Sequence, residues 1–309
     1  MTRVGIVLGG GGTVGYGWHT GVLRGLQEVV DLDARDAAEL VGTSAGSYAV
    51  AYVRAGLSGD DLFRLAVGQD VGPESRDLVR AAGPTGELAS PARRRLRPSD
   101  PTVLRAAVRD RRVPTLGALI GGLLPTGDVS AEPYLAPIRN LYAGKPWPAG
   151  LRIPASRQRD GARVVFGAGS GVDVADAVAA SSAVPAYMAP VEIRGERYVD
   201  GSTTSATNAD VLAGEPLDVV IVSAPMSPPA DGLRFGRDLP VRAWAARNLR
   251  REVLAVVRAG TRVVTLTPTA KSRETMAPGG MSEAVRGPAA RIAYQQVVDG
   301  ADALRRQLS

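Results

Sequence analysis

The sequence predicts an α/β fold, a sandwich of helices on a mainly parallel sheet. Three observations carry that expectation. Short apolar runs bounded by glycine, such as Val4–Leu8, have the unbroken hydrophobicity of strands buried on both faces. These runs alternate with longer stretches whose apolar residues recur at three- and four-residue intervals, the period of a helix. A serine flanked by glycines then sits at a junction between such a run and such a stretch, the strand–turn–helix order of an α/β unit.

Taken in order, Val4–Leu8 is the first strand and residues 9–17 read as a glycine-rich turn. A helix is expected from Trp18, with Val22, Leu23, Leu26, Val29 and Val30 on one face. Residues 39–41 form a second short strand entering Gly42-Thr43-Ser44-Ala45-Gly46, and an Ala-rich helix runs on toward Ala55. From about residue 59 to 150 the character changes: prolines, two arginine-rich patches at 93–97 and 109–112, and an uncharged stretch at 113–124. This region reads as a largely helical insertion over the site, its uncharged stretch too short to span a bilayer. Strand signals return at Arg163–Phe166, and a small-residue helix over 174–182 is ended by Pro185. Residues 197–199 form a strand leading into Asp200-Gly201, and 218–223 another. Trp244, Leu249, Val253, Val256 and Val257 mark an amphipathic helix, Arg262–Leu266 a last strand, and 283–308 a helical C-terminal segment. With no internal repeat and no linker, the reading is one domain over residues 1–309.

Composition narrows the function classes. With 45% hydrophobic and 22% charged residues the chain can bury a sizeable core. The absence of cysteine excludes disulfides, thiolate metal sites and a cysteine nucleophile. The net charge of +6 is carried almost wholly by arginine, the lysines being Lys145 and Lys271. We read that bias as compositional rather than as a nucleic-acid signature. No stretch has the form of a signal peptide or the ~20 apolar residues of a membrane span. A cytoplasmic protein is expected, with any membrane contact peripheral.

Gly42-Thr43-Ser44-Ala45-Gly46 fits Gly-x-Ser-x-Gly. In that pattern a strained strand-to-helix turn lifts the serine hydroxyl clear of the sheet, and the helix N-terminus behind it favours developing negative charge. The competing reading of Ser44 is a turn serine that caps a helix. A nucleophilic serine needs a base. The one histidine, His19, precedes Ser44, so the Ser, acid, His order of an α/β-hydrolase is excluded. His19 itself reads as a satisfied helix residue. A carboxylate must then serve, and Asp200, directly after a short strand and before Gly201, fits best; its competing reading is an ordinary Asp-Gly turn. Gly10, Gly12 and Gly15 satisfy G-x-G-x-x-G, the mark of a dinucleotide site. The second strand, however, runs into the serine turn instead of ending in a ribose-binding acid. No Gly-Lys-Ser/Thr follows for a phosphate loop either. A glycine nest beside a serine elbow makes better sense as an oxyanion hole.

These motifs in this order resemble the patatin-like phospholipase family, and 179–185 (Ala-Ala-Ser-Ser-Ala-Val-Pro) with Ala189-Pro190-Val191 is similar to the stretch before that family's catalytic aspartate. The resemblance spans roughly residues 4–210. It implies a three-layer α/β/α sandwich and hydrolysis of lipid acyl esters (phospholipid or glycerolipid) through an acyl-enzyme, with no cofactor and no metal. Ser44 matches the nucleophile and Asp200 the base of a dyad. Gly10, Gly11 and Gly12 match the oxyanion turn, to which Ala45 would add its amide. Gly15, Gly42, Gly46 and Gly201 support these motifs. Many members carry a basic residue where this chain has Val14.

The expected partner is a lipid or acyl-ester substrate, not nucleic acid. An acyltransferase or thioesterase on the same dyad, a nucleotide-binding protein and a catalytically silent lipid-binding protein remain as alternatives.

Overall fold

The computed structural model describes residues 2–86, 99–100, 116–227, 239–276 and 280–308. Its sheet has eight strands: β1 (Val4–Leu8), β2 (Glu39–Gly42), β3 (Leu151–Arg157), β4 (Arg163–Phe166), β5 (Val191–Ile193), β6 (Glu196–Val199), β7 (Val219–Ser223) and β8 (Arg262–Leu266). The order is β5-β6-β3-β2-β1-β7-β8, with β4 paired to β3. From β3 to β8 the strands run parallel, while β4, β5 and β6 are antiparallel additions at one side. β1 and β7 are buried along their whole length, which is why they are apolar up to Ser223 at the end of β7.

Helices cover both faces. On one lie α1 (Gly12–Val30), α2 (Ala45–Ala55), α3 (Gly59–Ala66), α6 (Glu132–Tyr142), α7 (Val174–Ser181) and α10 (Glu283–Asp299), packed on a core that includes Ile6, Leu8, Trp18, Leu40 and Ile153. On the other, α8 (Leu239–Arg258) buries Leu249 and Val256 against Val7, Val41, Val220 and Val222. The remaining helices are α4 (Arg76–Ala82), α5 (Leu116–Leu123), α9 (Ala270–Met276) and α11 (Ala301–Leu308). This is the three-layer α/β/α arrangement with a mainly parallel sheet.

Several boundaries differ from the sequence reading, each for a physical reason. α1 begins at Gly12, not Trp18, so the turn shrinks to residues 9–11. Glycine is a poor helix former, but here it is selected by packing. A Cβ at Gly17, Gly21 or Gly25 would collide with the carbonyls of Arg286 and Ala290 or with the Val297 side chain, all on α10. Glycines four apart form a groove into which α10 settles. β3 and β5 were not anticipated; Pro154 inside β3 removes a ladder donor and disguises the strand. Val257, expected on the buried face of α8, is 48% exposed. The C-terminal segment is two helices, broken at Gly300. Within 59–150 the described elements are helical; the arginine patches at 93–97 and 109–112 lie outside the described residues.

Candidate active site

The register places the site. Leu8 stands opposite both Gly42 and Ser223, so β1, β2 and β7 end level with one another. The turns that leave these ends converge at the carboxyl edge of the sheet, where open α/β folds bind ligands.

Ser44 leaves β2 with φ 53° and ψ −118°, a left-handed conformation that a non-glycine residue rarely adopts. Such a backbone holds about 1–3 kcal/mol of strain, which the surroundings must enforce. Gly46 closes the elbow from one side: its amide donates to the Gly9 carbonyl (3.2 Å) and to Thr43 O (2.9 Å), and a Cβ there would overlap the Leu8 carbonyl. Gly42 has no room either, a Cβ meeting the Gly46 carbonyl at 2.6 Å. The Ser44 amide donates to Ser181 Oγ (3.0 Å), whose hydroxyl donates to the Pro154 carbonyl (2.6 Å).

The Ser44 hydroxyl donates to Asp200 Oδ2 at 2.6 Å, although 156 residues separate the two. β6 runs antiparallel to β3, pairing Val199 with Ser156, and so delivers Asp200 back to the level of the elbow. Gly201 packs its bare Cα against the Pro154 carbonyl. Asp200 Oδ1 accepts the Ser202 amide at 2.7 Å, and its own amide donates to Ala183 O at 2.9 Å. The carboxyl is 3% exposed. Burial pushes its pKa up to about 6, while the hydrogen bonds from Ser44 and Ser202 pull the other way.

The glycine turn lies against this pair. The Gly10 amide is engaged by Ala206 O at 2.7 Å and is not available to a substrate. The amides of Gly11, Gly12 and Ala45 have no acceptor among the described residues. Gly10 contributes instead by its lack of a side chain, since a Cβ would strike Ser202 Oγ and come within 3.4 Å of Ser44 Cβ. At Gly15 a Cβ meets only ordinary contacts, the nearest at 3.4 Å. Val14 is buried in the core, where a cation would be stranded.

His19 is fully buried, and both its ring nitrogens are engaged by groups other than Ser44 and Asp200. Its Nε2 lies 2.7 Å from the Gly9 carbonyl and its Nδ1 2.8 Å from Ser223 Oγ. The carbonyl can only accept, so Nε2 carries the proton and Nδ1 accepts from the Ser223 hydroxyl; Trp18 Nε1 in turn donates to Ser223 Oγ (3.1 Å). Burial lowers the His19 pKa to about 4. The histidine pins the start of the glycine turn and remains neutral.

Behind the turn a second buried network holds the segment that supplies Ala206. Glu252 Oε2 accepts from Thr207 Oγ1 (2.5 Å) and the Ala209 amide (2.8 Å). Asn208, left-handed at φ 55°, donates to Thr43 Oγ1 at 3.1 Å. Sequence reading assigned no role to Ser181, Ser202, Asn208 or Glu252. Only Ser181, inside the 179–185 motif, carried a signal.

A cavity of about 390 Å³ opens beside Ser44, within the size range of small-ligand sites. Ser44, Ala45 and Gly12 line it, whereas Asp200 sits behind the serine and stays out of the lining. Its walls are mostly apolar and come in part from the 59–150 region, with Leu65, Val79, Ala82 and Pro137 among them. Among the described residues no group of histidines and carboxylates could hold a metal ion, and no helix is long and apolar enough to cross a membrane.

A family model described as patatin-like phospholipase matches residues 6–213. No curated protein matches. Among solved structures, VipD from Legionella pneumophila is similar with a TM-score of 0.44 and 14% identity, over 98% of this chain and 67% of that one.

Proposed function

The chain belongs to the patatin-like phospholipase family of lipid acyl hydrolases, and we propose that it cleaves lipid acyl esters through Ser44 and Asp200 alone. The reading rests on one observation: a serine hydroxyl held 2.6 Å from a buried carboxylate, on a strained elbow, at the wall of an apolar cavity.

In the proposed reaction the Ser44 oxygen attacks the ester carbonyl as its proton passes to Asp200 Oδ2. The carbonyl oxygen gains the charge and takes hydrogen bonds from the Gly11, Gly12 and Ala45 amides. Collapse expels the alcohol, which leaves with the proton from Asp200, and the acyl group stays on Ser44. Asp200 then takes a proton from water, whose oxygen attacks the acyl carbonyl; the fatty acid departs and Ser44 recovers its proton. A base with a pKa near 6 is ionised at neutral pH yet strong enough to accept the proton, the compromise that acid–base catalysis favours. The apolar cavity takes the acyl chain, each buried methylene contributing about 0.8 kcal/mol. Contact with the lipid phase is proposed to be peripheral.

The test is Ser44→Ala. The variant should keep the wild-type circular dichroism spectrum but lose both labelling by a fluorophosphonate and turnover of short p-nitrophenyl esters. A folded Ala variant that still labels and turns over places the nucleophile elsewhere.

A further inference from the structure

Among the described residues, the cavity beside Ser44 is lined by a single charged side chain, Arg286 on α10. Its guanidinium has two distinct edges. Nη1 pairs with Glu283 Oε2 at 3.0 Å, and Glu283 is held in turn by the Tyr134 hydroxyl through Oε1. That clasp fixes the orientation of the guanidinium. The opposite edge is open: Nε is sealed from solvent with no acceptor, and Nη2 has no partner among the described residues. A buried donor without an acceptor is uncommon and calls for an occupant. The Tyr16 hydroxyl, also on the cavity wall, has no partner among the described residues and lies close enough for the Arg286 charge to oppose the upward shift that burial gives its pKa. An oriented Nε–Nη2 fork with the Tyr16 phenol beside it, in a mainly apolar cavity, has the geometry that takes two oxygens of one anion.

We propose that Arg286 determines substrate specificity: its Nε–Nη2 edge receives an anionic oxygen group carried by the lipid, the phosphodiester of a glycerophospholipid, while the acyl chain occupies the apolar walls. This rests on the acyl-hydrolase reading of Ser44 for the choice of ligand but not for its test. Gly12 and Met281 connect the two regions, both lining the cavity between the glycine turn and α10, so headgroup and ester are read within one chamber. The competing role for Arg286 is an i,i+3 ion pair that only steadies α10.

Binding without turnover separates the two. In a Ser44→Ala background, an octyl glycerophosphocholine ether and an octyl glycerol ether are titrated calorimetrically; neither can be cleaved, and they differ only in the phosphocholine headgroup. Adding Arg286→Gln should weaken the phosphate ligand about tenfold or more relative to the neutral one, the scale of a charge-assisted hydrogen-bonded pair. Arg286→Lys, which keeps the charge and loses the fork, should fall between, and it decides the matter if the Gln variant does not fold. An unchanged ratio in the folded variants overturns the proposal. Inorganic phosphate is the third arm: it should bind far more weakly than the lipid phosphate. Equal binding would make this a free-anion site and also overturn the proposal. Failure of the hydrolase reading would show separately, as absent fluorophosphonate labelling of the wild type.

Discussion

Replacing Asp200 by Asn keeps the shape of the side chain and removes one ionisation. In the fold this carboxyl titrates at about 6, against 3.8 for a free one, because burial penalises its charge. A shift of about two units corresponds to about 3 kcal/mol at roughly 1.4 kcal/mol per unit. The sign follows from linkage: a raised pKa means the fold favours the protonated form. The stabilisation is therefore full below pH 3.8 and lost as pH rises through 6. Asn is neutral at every pH, so Asp200→Asn should be more stable than wild type by about 3 kcal/mol at pH 8 and show no such gain at pH 3.5. His19 acts in the opposite sense. Its pKa falls from 6.5 to about 4, so its contribution is present above 6.5 and lost as pH drops toward 4. In wild type the two trends offset; in the Asn variant the His19 loss is unmasked, and stability should decline from pH 6.5 to 4. Urea midpoints across this range measure it. In the proposed mechanism the same ionisation governs rate: wild-type ester turnover should be half-maximal near pH 6 and about one-tenth of its plateau at pH 5, while the Asn variant loses orders of magnitude at all pH values. A stability difference that is equal at pH 4 and pH 8, or near-wild-type turnover by a folded Asn variant, refutes the reasoning.

Two further substitutions probe the surroundings. Gly11→Val would place its Cβ 2.9 Å from Gly15 Cα and 3.0 Å from Pro225 Cγ, forcing the turn to move; turnover should fall roughly 10²-fold, as for loss of one oxyanion donor, and a stable variant within twofold of wild type rejects these donors. His19→Ala should destabilise by about 2–4 kcal/mol through the cavity and the orphaned Gly9 and Ser223 groups. Its turnover should drop as the turn loosens, but the half-maximal pH should stay near 6; loss of that inflection would put a proton on His19.

Much of this site was legible in the sequence because its requirements are local. A strained elbow needs Gly42 and Gly46 around Ser44, and burial on both faces writes β1 and β7 as unbroken apolar runs. Asp200 was reached by elimination and resemblance. What escaped depends on distant partners. Gly10 looks like its neighbours in sequence, and only Ala206, brought in by the Glu252 network, takes its amide. The helical state of Gly12 and Gly17 contradicts their propensity and goes with their close packing on Gly280 and Met281, just ahead of α10, and on Arg286 within it. Pro154 hid β3, the strand that spaces β2 from β6 and so sets the distance between Ser44 and Asp200.

The groove of Gly17, Gly21 and Gly25 bears on modularity. The family match ends at residue 213, yet α10, which begins seventy residues later, is the element that groove was shaped to receive. The Gly280 carbonyl, just ahead of α10, accepts the Val14 amide at 3.1 Å and abuts Gly12. β7 and β8, also beyond the match, complete the sheet beside β1. The stretch that the family model matches is therefore shorter than the unit that folds. Exchanging the last hundred or so residues with those of a relative would fail unless both sides of the groove travel together: any side chain gained at 17, 21 or 25 obliges the backbone at 286 and 290 or the Val297 side chain to withdraw, carrying Arg286 and one wall of the cavity with it.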